Sequence, residues 1–288
     1  MPILKTMKDN FAAFILTNGR PDNVKTYMTL RKSGYTGKIF LIVDDLDKTK
    51  DDYKVKYGKE VIIFDKEAIA KTFDEGDNFN DKRAIIYARN ASFEIAKNLG
   101  IKHFIQLDDD YSSFYYRFDH DFEYTPKAIK KLDVIFQAMI DFFNKSGAAS
   151  IAMAQGGDFI GGGESSFSQS ITLKRKAMNS FICSTDKPFQ FVGRINEDVN
   201  TYTRLASTGL LLFTTNQVSL SQVSTQSSSG GMTELYLDSG TYVKSFYSVM
   251  YHPSSVLIKM MGSTHRRLHH SVNWKATVPL ILSEVHRK

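Results

Sequence analysis

Three consecutive acids, Asp108-Asp109-Asp110, follow the apolar run His103–Leu107. Neighbouring carboxylates repel, so full ionisation requires hydrogen bonds or a cation to compensate. A divalent metal ion supplies that compensation through oxygen ligands. If the strand continues through the triplet, alternation points Asp108 and Asp110 to the same side. One can then reach a ribose hydroxyl and the other a metal. The plainer reading is a solvated turn in which Asp110 caps the next segment. A second acidic pair, Glu197-Asp198, lies within Gly193-Arg194-Ile195-Asn196-Glu197-Asp198-Val199-Asn200, at the start of a predicted helix. Acids there also stabilise a helix dipole with no further role. The stretch Gly156–Gly163 lets backbone approach a sugar or phosphate closely, or serves as a mobile lid. It lacks the Lys-Ser/Thr ending of a P-loop. The run His265-Arg266-Arg267-Leu268-His269-His270 is the other dense feature. His103 and His252 read as structural.

The elements that position these residues follow from hydrophobic patterning. Apolar runs at Phe11–Leu16, Ile39–Val43, Val61–Phe64 and His103–Leu107 read as buried strands. Helical stretches at Asp22–Lys32, Lys66–Phe73 and Arg83–Leu99 separate them. This alternation predicts a parallel sheet with helices on its faces. In such sheets ligands bind at the carboxyl ends of the strands. Those ends here carry Thr17-Asn18-Gly19-Arg20, Asp44-Asp45 and the aspartate triplet. A long amphipathic helix is expected from near Thr125-Pro126 to Gly147, with Thr125 as N-cap and Gly147 as stop. Strand-like runs follow at Ala148–Ala154, Leu210–Thr215 and Val256–Met260. The expected fold class is α/β, a mixed and mainly parallel sheet with helices on both faces. Residues 1–125, which carry these strand ends, and 126–288 are expected to be two halves of one continuous domain.

Composition narrows the partners. The 288 residues carry a net charge of +6 with a pI of about 9.1. That balance suits an anionic partner without choosing among nucleotide, nucleic acid and membrane surface. A single cysteine, Cys183, excludes an internal disulfide framework and fits a reducing compartment. The first residues lack the apolar run of a signal peptide. The longest apolar stretch, Val134 to Phe143, is interrupted by Gln137 and Asp141. The expectation is a cytoplasmic protein without a membrane partner.

The order of these motifs, with Ala88-Arg89-Asn90 on the helix before the fourth strand, resembles the GT-A glycosyltransferases, especially the family-2-like group. The likeness runs over roughly residues 11–116 and resumes near 193. It implies that Thr17, Asn18, Arg20 and Asp44 hold a nucleotide, that Asp108 and Asp109 face the donor, and that Asp110 binds Mn2+ or Mg2+. Arg83 or Arg89 would offset phosphate charge, with a solvated helix face as the alternative. Gly193 and Arg194 would lie beside the donor. Glu197-Asp198 is similar to the x-Glu-Asp motif of inverting enzymes, which makes Asp198 the base and Glu197 the next candidate. A C-terminal histidine, His270 or His265, would complete the metal shell.

A narrower resemblance rests on Val192–Asn200, Thr225-Gln226, Gly240–Phe246 and His269-His270. These look like the TET/JBP-associated glycosyltransferases, phage and eukaryotic proteins linked to modification of hydroxymethylated pyrimidines in DNA. The family implies transfer of glucose from UDP-glucose to the hydroxyl of a 5-hydroxymethylpyrimidine, in phage-infected host cytoplasm if the chain is of phage origin. Lys174, Arg175, Lys176, Arg266 and Arg267 are then candidate phosphate contacts. Tyr115, with Tyr111, Phe114 and Tyr116, is a candidate to stack on an extruded base; core packing is the alternative. A glycan, protein or small-molecule acceptor, or a binding module without turnover, would leave the donor half looking the same.

Overall fold

Phe11–Leu16 contains no polar residue and forms β1, buried along its whole length. Its side chains alternate between two cores. Phe11, Ala13 and Ile15 enter one cluster, while Ala12, Phe14 and Leu16 enter the other. A strand apolar on both faces needs cover on both, and helices supply it. Helix α5 (Leu132–Ser146) packs its Leu132, Phe136, Met139, Ile140 and Phe143 on the first face. Helices α4 (Ile86–Asn98) and α6 (Glu197–Ser207) cover the second. This computed structural model describes residues 10–77, 81–159, 161–165, 168, 176–222, 243–261 and 266–277.

Strands β2 (Lys38–Asp44), β3 (Val61–Phe64) and β4 (His103–Asp108) run parallel with β1. Short helices α1 (Lys25–Lys32), α2 (Lys50–Tyr57) and α3 (Lys66–Ala70) lie between them in the chain. The remaining strands are β5 (Tyr111–Phe118), β6 (Tyr124–Ala128), β7 (Ser150–Gln155), β8 (Ser180–Ser184) and β9 (Leu212–Gln222). The sheet order is β3-β2-β1-β4-β8-β7-β9-β5-β6. Only β8 and β5 run against the rest, so the sheet is mixed and mainly parallel, as expected. The ends of β1, β2 and β4 that carry Thr17, Asp44 and Asp108 share one edge.

Two differences from the patterning have clear causes. The long helix begins at Leu132, not at Thr125-Pro126, because Tyr124–Ala128 is the outermost strand of the sheet. Proline cannot donate to a ladder and is tolerated at such an edge. Lys131 is the N-cap without a side-chain cap bond, and the Leu132 amide donates instead to the Ser33 carbonyl at 3.0 Å. Gly147 does end the helix, in the left-handed conformation at φ 70°. The 125/126 division thus falls inside β6. Separately, β10 (Val256–Met261) and β11 (Arg267–Val272) form a two-stranded ribbon outside the main sheet. A helical segment, α7 over 243–251, precedes it, and α8 (Trp274–Thr277) follows it. Among the described residues no helix is long and apolar enough to cross a membrane.

Candidate active site

The loop after β1 is held by the acids it was expected to sit beside. Thr17 Oγ1 donates to Asp109 Oδ2 at 2.7 Å and lies 2.7 Å from the Tyr53 hydroxyl. The amide of Gly19, at φ 72°, donates to Asp47 Oδ2 at 2.8 Å, and the Arg20 amide reaches Tyr53 at 2.9 Å. Asn18 Nδ2 donates to Asp44 Oδ2 at 2.8 Å, and Lys66 Nζ lies 3.2 Å from the same oxygen. Asn18 remains exposed and Arg20 half-buried, so both keep a surface for a ligand. The cradle therefore combines open Asn18 and Arg20 with a nearly closed Asp44.

The triplet divides its labour differently from simple alternation. β4 stops at Asp108, and Asp109-Asp110 form a turn. The start of α1 takes over the hydrogen bonds. Thr26 Oγ1 donates to the Asp108 carbonyl at 2.6 Å and accepts from the Tyr111 amide at 2.9 Å; the Thr26 amide donates to the Asp109 carbonyl at 3.1 Å. Asp109 is buried and pairs with Arg20 at 3.2 Å, so it braces the cradle from within. Asp110 is half-buried, and its Oδ1 is buried without a hydrogen-bond partner. Burial, then Asp109, pushes its carboxyl above the usual range. Asp108 is pushed up to about 6 by burial, against the pull of Arg89.

Arg89 joins the two acidic motifs. Its guanidinium is 2% exposed and packs 5.1 Å from the Phe181 ring and 5.7 Å from the Phe191 ring. Its Nη2 donates to Asp108 Oδ1 and its Nε to Glu197 Oε1, both at 3.0 Å. Nε and Nη2 share one edge of the guanidinium, so the two carboxylates sit side by side along it. The expected alternative for Arg89, a solvated helix face, is excluded. Asp198, next to Glu197, is half-buried; burial and the Glu197 charge push its carboxyl up to about 7. Asn196 turns the chain into α6 from the left-handed region at φ 55°, which asparagine tolerates. Its Nδ2 donates to the Lys244 carbonyl at 2.7 Å, tying this turn to α7.

Gly193 and Arg194 serve the loop before α4. The Gly193 amide donates to the Asp74 carbonyl at 2.9 Å, and the Arg194 amide to the Glu75 carbonyl at 3.0 Å. A Cβ on Gly193, at φ 78°, would meet Asn200 Nδ2 at 2.5 Å and the Tyr251 ring at 2.7 Å. The Arg194 guanidinium is 2% exposed and grips Asp77, with Nη2 to Oδ2 at 2.7 Å and Nε to Oδ2 at 3.1 Å. These contacts give the pair a structural role in the loop before α4. Arg83 is likewise engaged, by Asp81 at 2.8 Å.

On β11, His270 Nδ1 is buried without a hydrogen-bond partner. Burial, together with His269 and Lys244, pushes His270 down to about 4, so it is neutral and free to donate a lone pair. Among the described residues, the trio with ligand atoms within 4.8 Å of one another is Asp119, His120 and Asp121 on an exposed turn. Asp108, Asp110 and His270 are not drawn together at that spacing. His265 lies outside the described residues.

Residues 11–231 match the family described as TET-Associated Glycosyltransferase. The chain belongs to that family. Its members are glycosyltransferases by name, and the Asp108, Arg89 and Glu197 constellation falls inside the matched span. A search of curated proteins returned no match. Among solved structures, Staphylococcus aureus TarS 1-349 in complex with UDP aligns at 9% identity and a TM-score of 0.46 over 74% of this chain and 60% of that one. Pyrobaculum calidifontis mannosyltransferase PcManGT, in complex with GDP-Man and Mn2+, aligns at 10% and 0.47 over 76% and 58%. Mycobacterium tuberculosis glucosyl-3-phosphoglycerate synthase, with Mg2+ and UDP, aligns at 8% and 0.48 over 93% and 91%. The chain thus spans about 60% of the length of the first two.

The residues expected to contact nucleic acid scatter. Lys174 and Arg175, like Thr225-Gln226 and residues 240–242, lie outside the described residues. Lys176 pairs with Asp158 at 3.3 Å. Arg266 is exposed, and Arg267 is placed by its backbone on β11. In the aromatic run, Tyr111 and Phe114 are core, whereas Tyr115 is half-buried with the Arg117 guanidinium 5.6 Å from its ring. Sequence reasoning passed over Asp47, Tyr53 and Lys66, which hold the cradle. Only Asp47, an acid just past a strand end, carried a readable signal.

Proposed function

We propose that this chain is a metal-dependent glycosyltransferase that moves a sugar, glucose from UDP-glucose in the first instance, to the hydroxyl of 5-hydroxymethylpyrimidines in DNA, with inversion at the sugar. Family membership supports glycosyl transfer, and the family's name supports a modified-base acceptor. The observation that carries the reading is the Arg89 bridge, which holds Asp108 and Glu197 each at 3.0 Å along one edge of a buried guanidinium. Donor acids and a candidate base thereby share one side of the sheet.

Transfer needs an acceptor hydroxyl stripped of its proton and a stabilised diphosphate. Asp198 takes the first task. A carboxyl raised to about 7 accepts a proton near neutral pH far better than an ordinary aspartate. Glu197, fixed by Arg89, keeps its neighbour's position and raises its basicity. Asn18 and Arg20 orient the nucleotide, with Arg20 braced by Asp109. The unpartnered Asp110 Oδ1 and the crowding of Asp108 and Asp110 fit a divalent cation. Asp110 would hold it, with His270 as a neutral nitrogen donor. When bound, Mn2+ or Mg2+ supplies positive charge to the departing diphosphate.

The test is mass spectrometry of hydroxymethylated DNA incubated with the protein, Mn2+ or Mg2+, and a panel of nucleotide sugars. A hexose mass added to the modified base, dependent on the cation, is the expected result. Sugar transfer to a glycan or protein with none to DNA would overturn the acceptor assignment.

A further inference from the structure

Residues 239–283 contain no Asp or Glu, yet carry Lys244, Lys259, Arg266, Arg267 and Lys275. Those 45 residues hold +5 of the net +6 of the whole chain. They also lie beyond residue 231, where the family match ends. Their central element is the β10–β11 ribbon, separate from the main sheet.

The ribbon leaves the body as it runs outward. At its base, Ser255 and Val256 are buried, and the Asn273 amide donates to the Ser255 carbonyl at 2.6 Å. Further out Lys259, Met260 and Met261 are exposed, the two methionines at 60% and 46%, and Arg266 is exposed beside them. Successive residues of a strand point to opposite faces. Exposure of both Met260 and Met261 therefore means that both faces of the outer ribbon are open. Lys259, Arg266 and Lys275 make no ion pair with described residues, since the segment holds no acid to meet them.

We propose that this acid-free ribbon is the element that docks on double-stranded DNA, entering a groove with Lys259 and Arg266 against the phosphates. A two-stranded ribbon fits the roughly 12 Å major groove, and a polyanion complements its three cations, Lys259, Arg266 and Arg267, in a stretch without an acid. An anionic membrane surface matches the geometry less well, because interfacial elements gather apolar residues on one face, whereas Met260 and Met261 lie on opposite ones. The inference rests on the DNA reading only for its choice of polyanion.

The experiment is fluorescence anisotropy with a labelled duplex of about 20 base pairs carrying no modified base, across a salt series. The Lys259→Ala/Arg266→Ala double variant is compared with the unsubstituted protein. Two lost phosphate contacts predict a salt slope shallower by about 1.8 and affinity lower by about 60-fold at 0.1 M salt. Lys259→Glu alone gives an independent check and should also weaken binding. An unchanged slope and affinity in both variants would overturn the proposal. So would DNA affinity untouched while binding to phosphatidylserine vesicles is lost. If the wild type grips the duplex through these residues but leaves hydroxymethylated bases unmodified, the ribbon assignment stands and the acceptor reading falls. If it modifies DNA while both variants keep the wild-type KM for DNA, the reverse holds.

Discussion

Replacing Asp198 by Asn should make the protein more stable and almost inactive, and the two effects should share one pH dependence. Burial and Glu197 raise the Asp198 carboxyl from an ordinary 3.8 to about 7. Because the folded value lies above the unfolded one, the associated stability is complete below about pH 4 and is lost as pH rises through 7. About three pH units correspond to an upper limit of ~4 kcal/mol. Asp198 is partly exposed, so roughly 2 kcal/mol is the expected gain for the neutral variant at pH 8. Near pH 4 the gain should vanish. Turnover should fall by about 10²–10⁴-fold, the usual worth of a positioned base, while donor affinity stays close to wild type. In the wild type, kcat/KM should decline about tenfold per pH unit below pH 7. Thermal melts at pH 5 and pH 8, beside initial rates on hydroxymethylated DNA, measure all of this. A variant no more stable at pH 8 than the wild type would refute the burial argument. Surviving turnover would move the base to Glu197.

Arg89→Met should destabilise the fold by about 3 kcal/mol at pH 8, because buried Glu197 and half-buried Asp108 lose their common partner; chemical denaturation should show the loss shrinking as pH falls toward 5, where Asp108 protonates. Asp110→Asn should abolish the Mn2+ dependence of nucleotide-sugar binding by calorimetry while sparing the melting temperature of the metal-free protein; intact metal dependence would remove Asp110 from that role. Gly193→Ala should cost about 1–3 kcal/mol, from strain at φ 78° and contact with Asn200 and Tyr251, and an unchanged melt would show that the turn adjusts freely.

Local chemistry was readable from residue order, and long-range partnership was not. β1 and β3 run over the same residues in the patterning as in the structure, because an unbroken apolar run bounded by polar residues has one plain reading. The edge strand Tyr124–Ala128 was lost to a helix, since Thr-Pro before an amphipathic stretch mimics a helix start. β5 was concealed in an aromatic run whose two faces are both partly covered. The candidate acids could be named because each motif is contiguous. The Arg89–Glu197 bond spans 108 positions, and no local pattern announces it. The Gly193-Arg194 contacts with Asp74, Glu75 and Asp77 were hidden for the same reason.

The charge balance around Arg89 explains why this site is arranged for chemistry and not for stability. A buried ion pair seldom outperforms apolar packing of the same volume, and here even the pairing is incomplete. Arg89 leaves Nη1 without a hydrogen-bond partner, and Asp110 leaves Oδ1 in the same condition. Arg20 faces Asp109, and Arg89 is shared between Asp108 and Glu197. Asp110 and Asp198 are left without a close ion-pair partner among the described residues, and both have carboxyls raised by burial. A fold selected for stability alone would have paired or removed these acids. Asp108 and Glu197 are held along one edge of a fixed guanidinium, and each has a chain neighbour, Asp110 and Asp198, whose charge no close ion pair takes up. With Asp110 taking the cation and Asp198 the proton, as proposed, the shared Arg89 anchor would fix the two motifs relative to each other, as displacement of a diphosphate by an alcohol requires.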